Sequence, residues 1–137
     1  MILVLDSSVT LAWVYGGETT TAVREVFAAV VSDRAWVPSL WRLEVANVLE
    51  MGVRRGRHDS GFRDATLSDL LLLPITTDAE TDLHAWRGTL SLASRHGLTL
   101  YDAAYLELAQ RRRLPLATLD SDLRIAGERE GVPLLGL

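Results

Sequence analysis

The sequence predicts an α/β domain built around a mostly parallel central sheet of about five strands flanked by helices. Three observations carry that expectation. Short apolar runs alternate with amphipathic stretches along the chain, the pattern of strands alternating with helices. The first run, Ile2 to Leu5, is continuously apolar, as in a strand covered on both faces. Cap and turn residues, among them Asp6-Ser7-Ser8, Gly97 and Gly131, stand at the joints. At 137 residues the chain has the length of one domain, residues 1–137, with room for a core.

The elements follow in order. Ile2 to Leu5 is the first strand, and Asp6, Ser7 and Ser8 offer cap chemistry for a short helix through Trp13. Gly16-Gly17 breaks it. Thr20 to Val31 is an amphipathic helix with Val23, Val26, Phe27 and Val30 on one face. Ala35 to Val37 is a second strand, stopped by Pro38. Ser39 is expected to cap a helix running to about Arg55, with Gly56 after it. Asp59 to Leu72 is another helix, and Pro74 to Thr76 a third, weak strand.

Residues 80–96 form a helix with Leu83, Trp86, Leu90 and Ala93 at helical spacing and Gly97 as its stop. Tyr101 to Arg112 is helical, Leu116 to Leu119 a fourth strand, Ser121 to Glu130 a helix, and Val132 to Leu135 a fifth strand. The stretch 39–112 holds one strand signal only, which predicts a helical arm beyond the sheet.

Composition removes several classes of function. There is no cysteine, so disulfides, thiolate nucleophiles and Cys-based zinc sites are excluded; this fits a reducing compartment and a cytoplasmic protein. No apolar run approaches the ~20 residues of a membrane span. The chain starts directly on a strand, without the basic leader of a signal peptide. Net charge is −4, so bulk charge does not advertise nucleic acid. All 14 basic residues are arginine. A GC-rich coding bias accounts for that, and any mechanism needing lysine is removed.

Four acids occupy unusual places. Asp6 ends the first strand and Asp120 the fourth, and parallel α/β sheets bind ligands beyond such strand ends. If those strands are neighbours, both carboxylates reach one crevice. Glu44 falls on the face read as buried, Leu40, Leu43, Asn47, Val48 and Met51. An acid there is costly unless paired or bound to a cation. Asp102 shares a face with Tyr105, Leu106 and Ala109 and lies in a first helical turn, where the macrodipole favours an anion.

Taken singly, each acid has a simpler role. Asp6 and Asp120 are candidate helix caps, Asp102 is a first-turn acid, and Glu44 has Arg42 or Arg87 as possible partners. Taken together they predict a cluster in which carboxylates are either protonated or neutralised by a cation. All-oxygen ligation suits Mg²⁺ or Mn²⁺, with some of the acids acting through water. Such a site suits phosphodiester chemistry. His58, His84 and His96 lack a zinc-like spacing.

The stretches VLDSSV, LEVANVL, LTLYDAAYLELAQ and LPLATLDSDL, in that order, resemble the PIN-domain ribonucleases, and more narrowly the VapC-type toxins of bacterial toxin–antitoxin pairs. The resemblance covers the whole chain. It implies a PIN-like three-layer domain and a Mg²⁺- or Mn²⁺-dependent endoribonuclease. It assigns the catalytic and metal-binding acids to Asp6, Glu44, Asp102 and Asp120, with Asp6 and Asp102 the most direct ligands. Ser8 and Thr118 match supporting hydroxyls, and Asp122 is an additional acid nearby. The resemblance further implies RNA as substrate, a cognate antitoxin and a homodimer; Leu70 to Leu73, Trp41 and Trp86 are candidate surface for these partners, with core packing the simpler role for each. A non-catalytic PIN-like scaffold that binds metal or RNA is the alternative.

Two arginine clusters end helices: Arg54, Arg55 and Arg57, and Arg111, Arg112 and Arg113. Arginine there complements the helix dipole. The sharper expectation is that Arg111, Arg112 and Arg113 hold RNA phosphates. A receiver domain and a haloacid-dehalogenase-type phosphatase both want a lysine that this chain lacks, and the second also wants Asp where Ser8 stands. A flap-endonuclease-like enzyme would bring more acids and more length.

Overall fold

The computed structural model describes all 137 residues. Its elements are β1 (Leu3–Leu5), α1 (Ser7–Val14), α2 (Thr21–Ser32), β2 (Ala35–Val37), α3 (Trp41–Arg54), α4 (Ser60–Leu70), β3 (Ile75–Thr77), α5 (Thr81–His84), α6 (Leu90–His96), α7 (Leu100–Arg112), β4 (Leu116–Ala117), α8 (Ser121–Arg129) and β5 (Leu134–Leu135). The five strands form one all-parallel sheet in the order β3-β2-β1-β4-β5, so the expected α/β fold is present. β1 is central: Val4 stands opposite Trp36 on one side and Leu116 on the other. Every β1 side chain is fully buried, as its unbroken apolar run requires.

The chain leaves β1 toward β2 and β3, then returns to β4 on β1's other side. That reversal puts a crevice at the C-terminal ends of β1 and β4, the place where open parallel sheets bind ligands. α7 covers both strands. Its residues Ala103 to Ala109 are all buried, which makes it an interior helix apolar almost all round. It therefore carries its first turn, with Asp102, to a place fixed by packing.

Several local expectations are corrected. Ser39 does not cap α3. The cap position belongs to Leu40, which makes no side-chain cap, and the Ser39 amide donates instead to Thr81 Oγ1 at 3.0 Å. The buried stripe of α3 is Trp41, Val45, Leu49 and Gly52, one residue round from the expected face; Leu43, Asn47 and Val48 are exposed. Trp41 anchors that stripe, its indole donating to Thr10 Oγ1 at 3.1 Å. In place of a projecting arm, α3 packs on both α4 and α1, and α7 lies on the sheet.

The helix expected over 80–96 is interrupted by a π turn, Ala85–Thr89, with Arg87 at φ −120° and ψ −105°. One inserted residue rotates the face that follows. Thr89, Leu92 and Ala93 turn inward, whereas Leu83, Trp86 and Leu90 of the expected apolar face are exposed. Gly97 ends α6 at φ +66°, a conformation that glycine adopts without a Cβ penalty. No helix is long and apolar enough to cross a membrane.

Candidate active site

Asp6 occupies the N-cap position of α1 with extended backbone, yet its side chain makes no capping hydrogen bond. Its Oδ2 instead accepts from Ser8 Oγ at 2.6 Å and from Thr118 Oγ1 at 2.8 Å. Both hydroxyls are themselves fixed: Ser8 Oγ accepts from the Leu119 amide at 3.0 Å and Thr118 Oγ1 from the Asp120 amide at 3.1 Å. Each hydroxyl has one proton to give, and it goes to Asp6. Oδ2 is therefore acceptor-only, and Oδ1 is the oxygen left for other work. Only 3% of Asp6 is exposed, and burial raises its carboxyl against the opposing pull of the two hydroxyls.

Glu44 sits half-buried at the margin of the α3 stripe. Neither Arg42 nor Arg87 pairs with it. The fully buried Tyr105 hydroxyl donates to its Oε1 at 2.5 Å. Desolvation raises the Glu44 carboxyl, Tyr105 opposes that shift, and Asp6 and Asp102 add to it by repulsion. The Tyr105 phenol is pushed well above its ordinary value, first by burial and then by the Glu44 and Asp6 charges, so it remains a donor.

Asp102 stands in the first turn of α7, behind the Thr99 cap whose hydroxyl accepts from the Asp102 amide at 3.1 Å. Its carboxyl is pushed up to about 6 by desolvation, then by Asp120, Asp6 and, more weakly, Asp122. Asp120 does cap α8, accepting from the Leu123 amide at 2.8 Å through Oδ2. Asp122 lies exposed in the first turn of the same helix.

These acids influence one another, so β1, α3, α7 and the β4–α8 junction bring them to a shared space. None of the five is in an ion pair, although ten ion pairs of arginine or the N-terminus with carboxylates form elsewhere in the molecule. The cluster thus holds surplus negative charge with no basic side chain against it. No three His, Asp or Glu side chains converge at metal-holding separation, however. Tyr105 holds one oxygen of Glu44, and the α8 amide one of Asp120. The expected meeting of the four acids is a common electrostatic space and not a closed ligand shell. The donor set still fits a hard divalent ion, because it is all oxygen, net negative and partly free, and such ions keep water between themselves and some of their carboxylates.

Of the three arginines expected to hold RNA phosphates, Arg111 is committed to carboxylates of the protein itself. Arg111 bonds Asp78 Oδ2 at 2.6 Å, Glu107 Oε1 at 2.7 Å and Glu80 Oε2 at 3.2 Å. Asp78 is fully buried, so Arg111 neutralises an interior carboxylate and is not free to hold phosphate. Arg112 lies 3.5 Å over the Trp36 ring and near Asp78. Arg113 alone of the three is exposed. Nine residues of helix separate Arg111 from Asp102, about 13 Å along the axis. The histidines have ordinary partners: His58 meets the Tyr15 hydroxyl, His84 lies near Glu107 and His96 near Glu130.

Sequence reasoning missed Tyr105 as a partner of the cluster. The signal was present: a tyrosine three residues after Asp102, on an interior face, must find an acceptor for its hydroxyl.

A family model described as PIN domain matches residues 3–128. Among solved structures, PAE2754 from Pyrobaculum aerophilum is 24% identical with a TM-score of 0.69, covering 97% of this chain and 82% of that one. VapBC2 from Rickettsia felis, bound to a DNA fragment from its promoter, is 13% identical with a TM-score of 0.65, covering 98% and 97%. VapC20 from Mycobacterium tuberculosis, described as a sarcin–ricin loop cleaving toxin, is 18% identical with a TM-score of 0.63, covering 93% and 95%. At these identities the likeness is one of fold. No curated protein matches.

Proposed function

The chain belongs to the PIN-domain family, and from that premise we propose that it is a metal-dependent endoribonuclease, hydrolysing RNA phosphodiester bonds as the toxin of a toxin–antitoxin pair. One observation carries the reading. Asp6, Glu44, Asp102 and Asp120 meet at the β1–β4 switch point with no cationic side chain to neutralise them: Asp120 raises the Asp6 and Asp102 carboxyls, Asp6 raises those of Glu44 and Asp102, and Asp102 raises that of Glu44. Carboxylates so arranged are costly unless a cation joins them. The fold neighbours support the toxin assignment: one is described as bound to a DNA fragment from its promoter and one as a sarcin–ricin loop cleaving toxin.

Asp6, through Oδ1, and Asp102 are the residues that would hold Mg²⁺ or Mn²⁺, with Glu44 and Asp120 contributing directly or through water. When bound, the ion supplies Lewis-acid stabilisation of the phosphodiester's developing charge and helps activate water. The chain's own residues do the rest. Ser8 and Thr118 fix Asp6 so that one oxygen faces the site. Asp120, with Oδ2 fixed by the α8 amide, keeps Oδ1 to orient a water and accept its proton, with Asp122 beside it. The water oxygen bonds to phosphorus as the opposite P–O ester bond breaks, one proton passes to carboxylate, and the departing oxygen takes one from solvent.

The reading makes residues 1–137 one nuclease domain acting on RNA in the cytoplasm. It also carries an antitoxin and a second copy as partners. Leu71, Leu72, Leu83 and Trp86, all more than half exposed, offer apolar surface for them. Trp41 does not, being buried. The test is incubation with labelled structured RNAs in Mg²⁺, in Mn²⁺ and in chelator. Cutting that requires the ion is expected, and RNA binding without ion-stimulated cutting would replace the nuclease with a binding scaffold.

A further inference from the structure

We propose that Tyr105 is a positioning residue that holds Glu44 in the acidic cluster and ties its place to that of Asp102. The inference rests on the metal-dependent reading above. Its own basis is geometric. Tyr105 lies one helical turn after Asp102 on α7 and shares its face. Its ring is wholly buried, so the hydroxyl has no freedom to wander. That hydroxyl donates to Glu44 Oε1 at 2.5 Å, bridging residues 61 apart in the chain.

Glu44 needs such a tether. It has no ion-pair partner and stands at the edge of the α3 stripe, with exposed Leu43 and Asn47 beside it. Desolvation and the neighbouring Asp6 and Asp102 charges all disfavour its carboxylate where it is. An untethered Glu44 would relieve both by turning to water, as Glu50 does on the same helix when it meets Arg54 and Arg63 at the surface. The phenol removes that escape. It occupies Oε1, with the Ser7 hydroxyl adding a lesser pull on the same carboxylate. Because one rigid helix carries both Tyr105 and Asp102, the two acids keep a fixed separation.

The experiment is Mn²⁺ binding to the RNA-free protein, by calorimetry or by EPR of the free ion. Tyr105→Phe removes one oxygen and keeps the ring. It is expected to weaken Mn²⁺ binding roughly ten- to hundredfold, the usual cost of losing an outer partner of a ligand. The same change in a Glu44→Ala background is expected to add nothing, since Tyr105 acts through Glu44. Placing 4-aminophenylalanine at position 105 restores a donor on the same ring and is expected to bring affinity back to within threefold of wild type. That variant also decides the matter should Tyr105→Phe fail to fold.

Wild-type Mn²⁺ affinity in Tyr105→Phe would overturn the proposal. So would an equal loss in the Glu44→Ala background, or failure of the amino variant to restore binding. If wild type itself binds no Mn²⁺, or binds it equally after Asp6→Asn, the functional reading has failed first.

Discussion

The Thr118 hydroxyl donates to Asp6 Oδ2 at 2.8 Å, joining the C-terminal ends of two adjacent strands that lie 112 residues apart in the chain. That bond makes Asp6 a fixed acid and not a helix cap. Thr118→Val keeps the shape and deletes the donor. A hydrogen bond to a charged buried group is lost and the Asp120 amide loses its acceptor, a destabilisation of about 1–3 kcal/mol. The Asp6 carboxyl should rise further, since Thr118 now lowers it. Urea denaturation at neutral pH measures the first effect. An unchanged midpoint would show that the weave between Ser8, Thr118 and Asp6 carries no stability.

Asp102 gives the metal-free protein a pH dependence of known sign. Its carboxyl titrates near 6 when folded against an ordinary value of 3.8. Between those values the folded state keeps a proton that the unfolded chain has released, so this group's contribution to stability falls as pH rises from about 4 to about 6. Asp102→Asn removes the penalty. With solvent screening allowed for, it should be more stable than wild type by about 1–2 kcal/mol at pH 7, and the difference should shrink toward zero near pH 4. Denaturation of both proteins in chelator across that range checks it. A pH-independent difference would contradict the assignment.

Adding Mn²⁺ should raise the melting temperature of wild type at pH 7, and chelator should reverse the rise. At a hundredfold excess over the dissociation constant the gain is about 2.7 kcal/mol. The gain should shrink below pH 6, where Asp102 takes up its proton in competition with the ion. Asp6→Asn and Asp102→Asn should each lose most of it.

Arg111 is an interior counter-charge. Arg111→Met would leave buried Asp78 with only the longer Arg112 contact at 3.4 Å and the Thr81 hydroxyl at 3.1 Å, at a cost of about 3–5 kcal/mol. Arg113→Ala, at an exposed position, should leave the unfolding midpoint unchanged. Equal midpoints for both variants would reopen the view of this cluster as a phosphate clamp.

Trp41 and Trp86 separate in the same assay. Trp41 is 6% exposed and hydrogen-bonded to Thr10, so Trp41→Ala should cost about 3–5 kcal/mol. Trp86 is 89% exposed, and Trp86→Ala should cost the monomer almost nothing.

The sheet was legible because its strands are apolar runs ended by acids, prolines or caps. The order β3-β2-β1-β4-β5 was not, since pairing depends on crossovers that leave no periodic signal. Asp6 and Asp102 were legible as acids in places where solvation alone does not put them. The α3 face was misread because Leu43 and Val48 look like core residues, while Gly52, whose missing Cβ makes room for His58, carries no hydrophobic signal. The π turn at Ala85–Thr89 escaped because an inserted residue alters register without altering composition. The Arg111–Asp78 pair was not legible because the two residues lie 33 apart in the chain and Asp78 shows no pattern of its own.

The most direct test of the acidic cluster as a metal-dependent catalytic site is the cleavage rate of one labelled RNA by wild type and by Asp6→Asn, in saturating Mn²⁺, with RNA affinity measured alongside. The account predicts a loss of at least about a hundredfold in rate while RNA affinity stays within a few-fold. Cutting at the wild-type rate by Asp6→Asn, or cutting that persists in chelator, would contradict it.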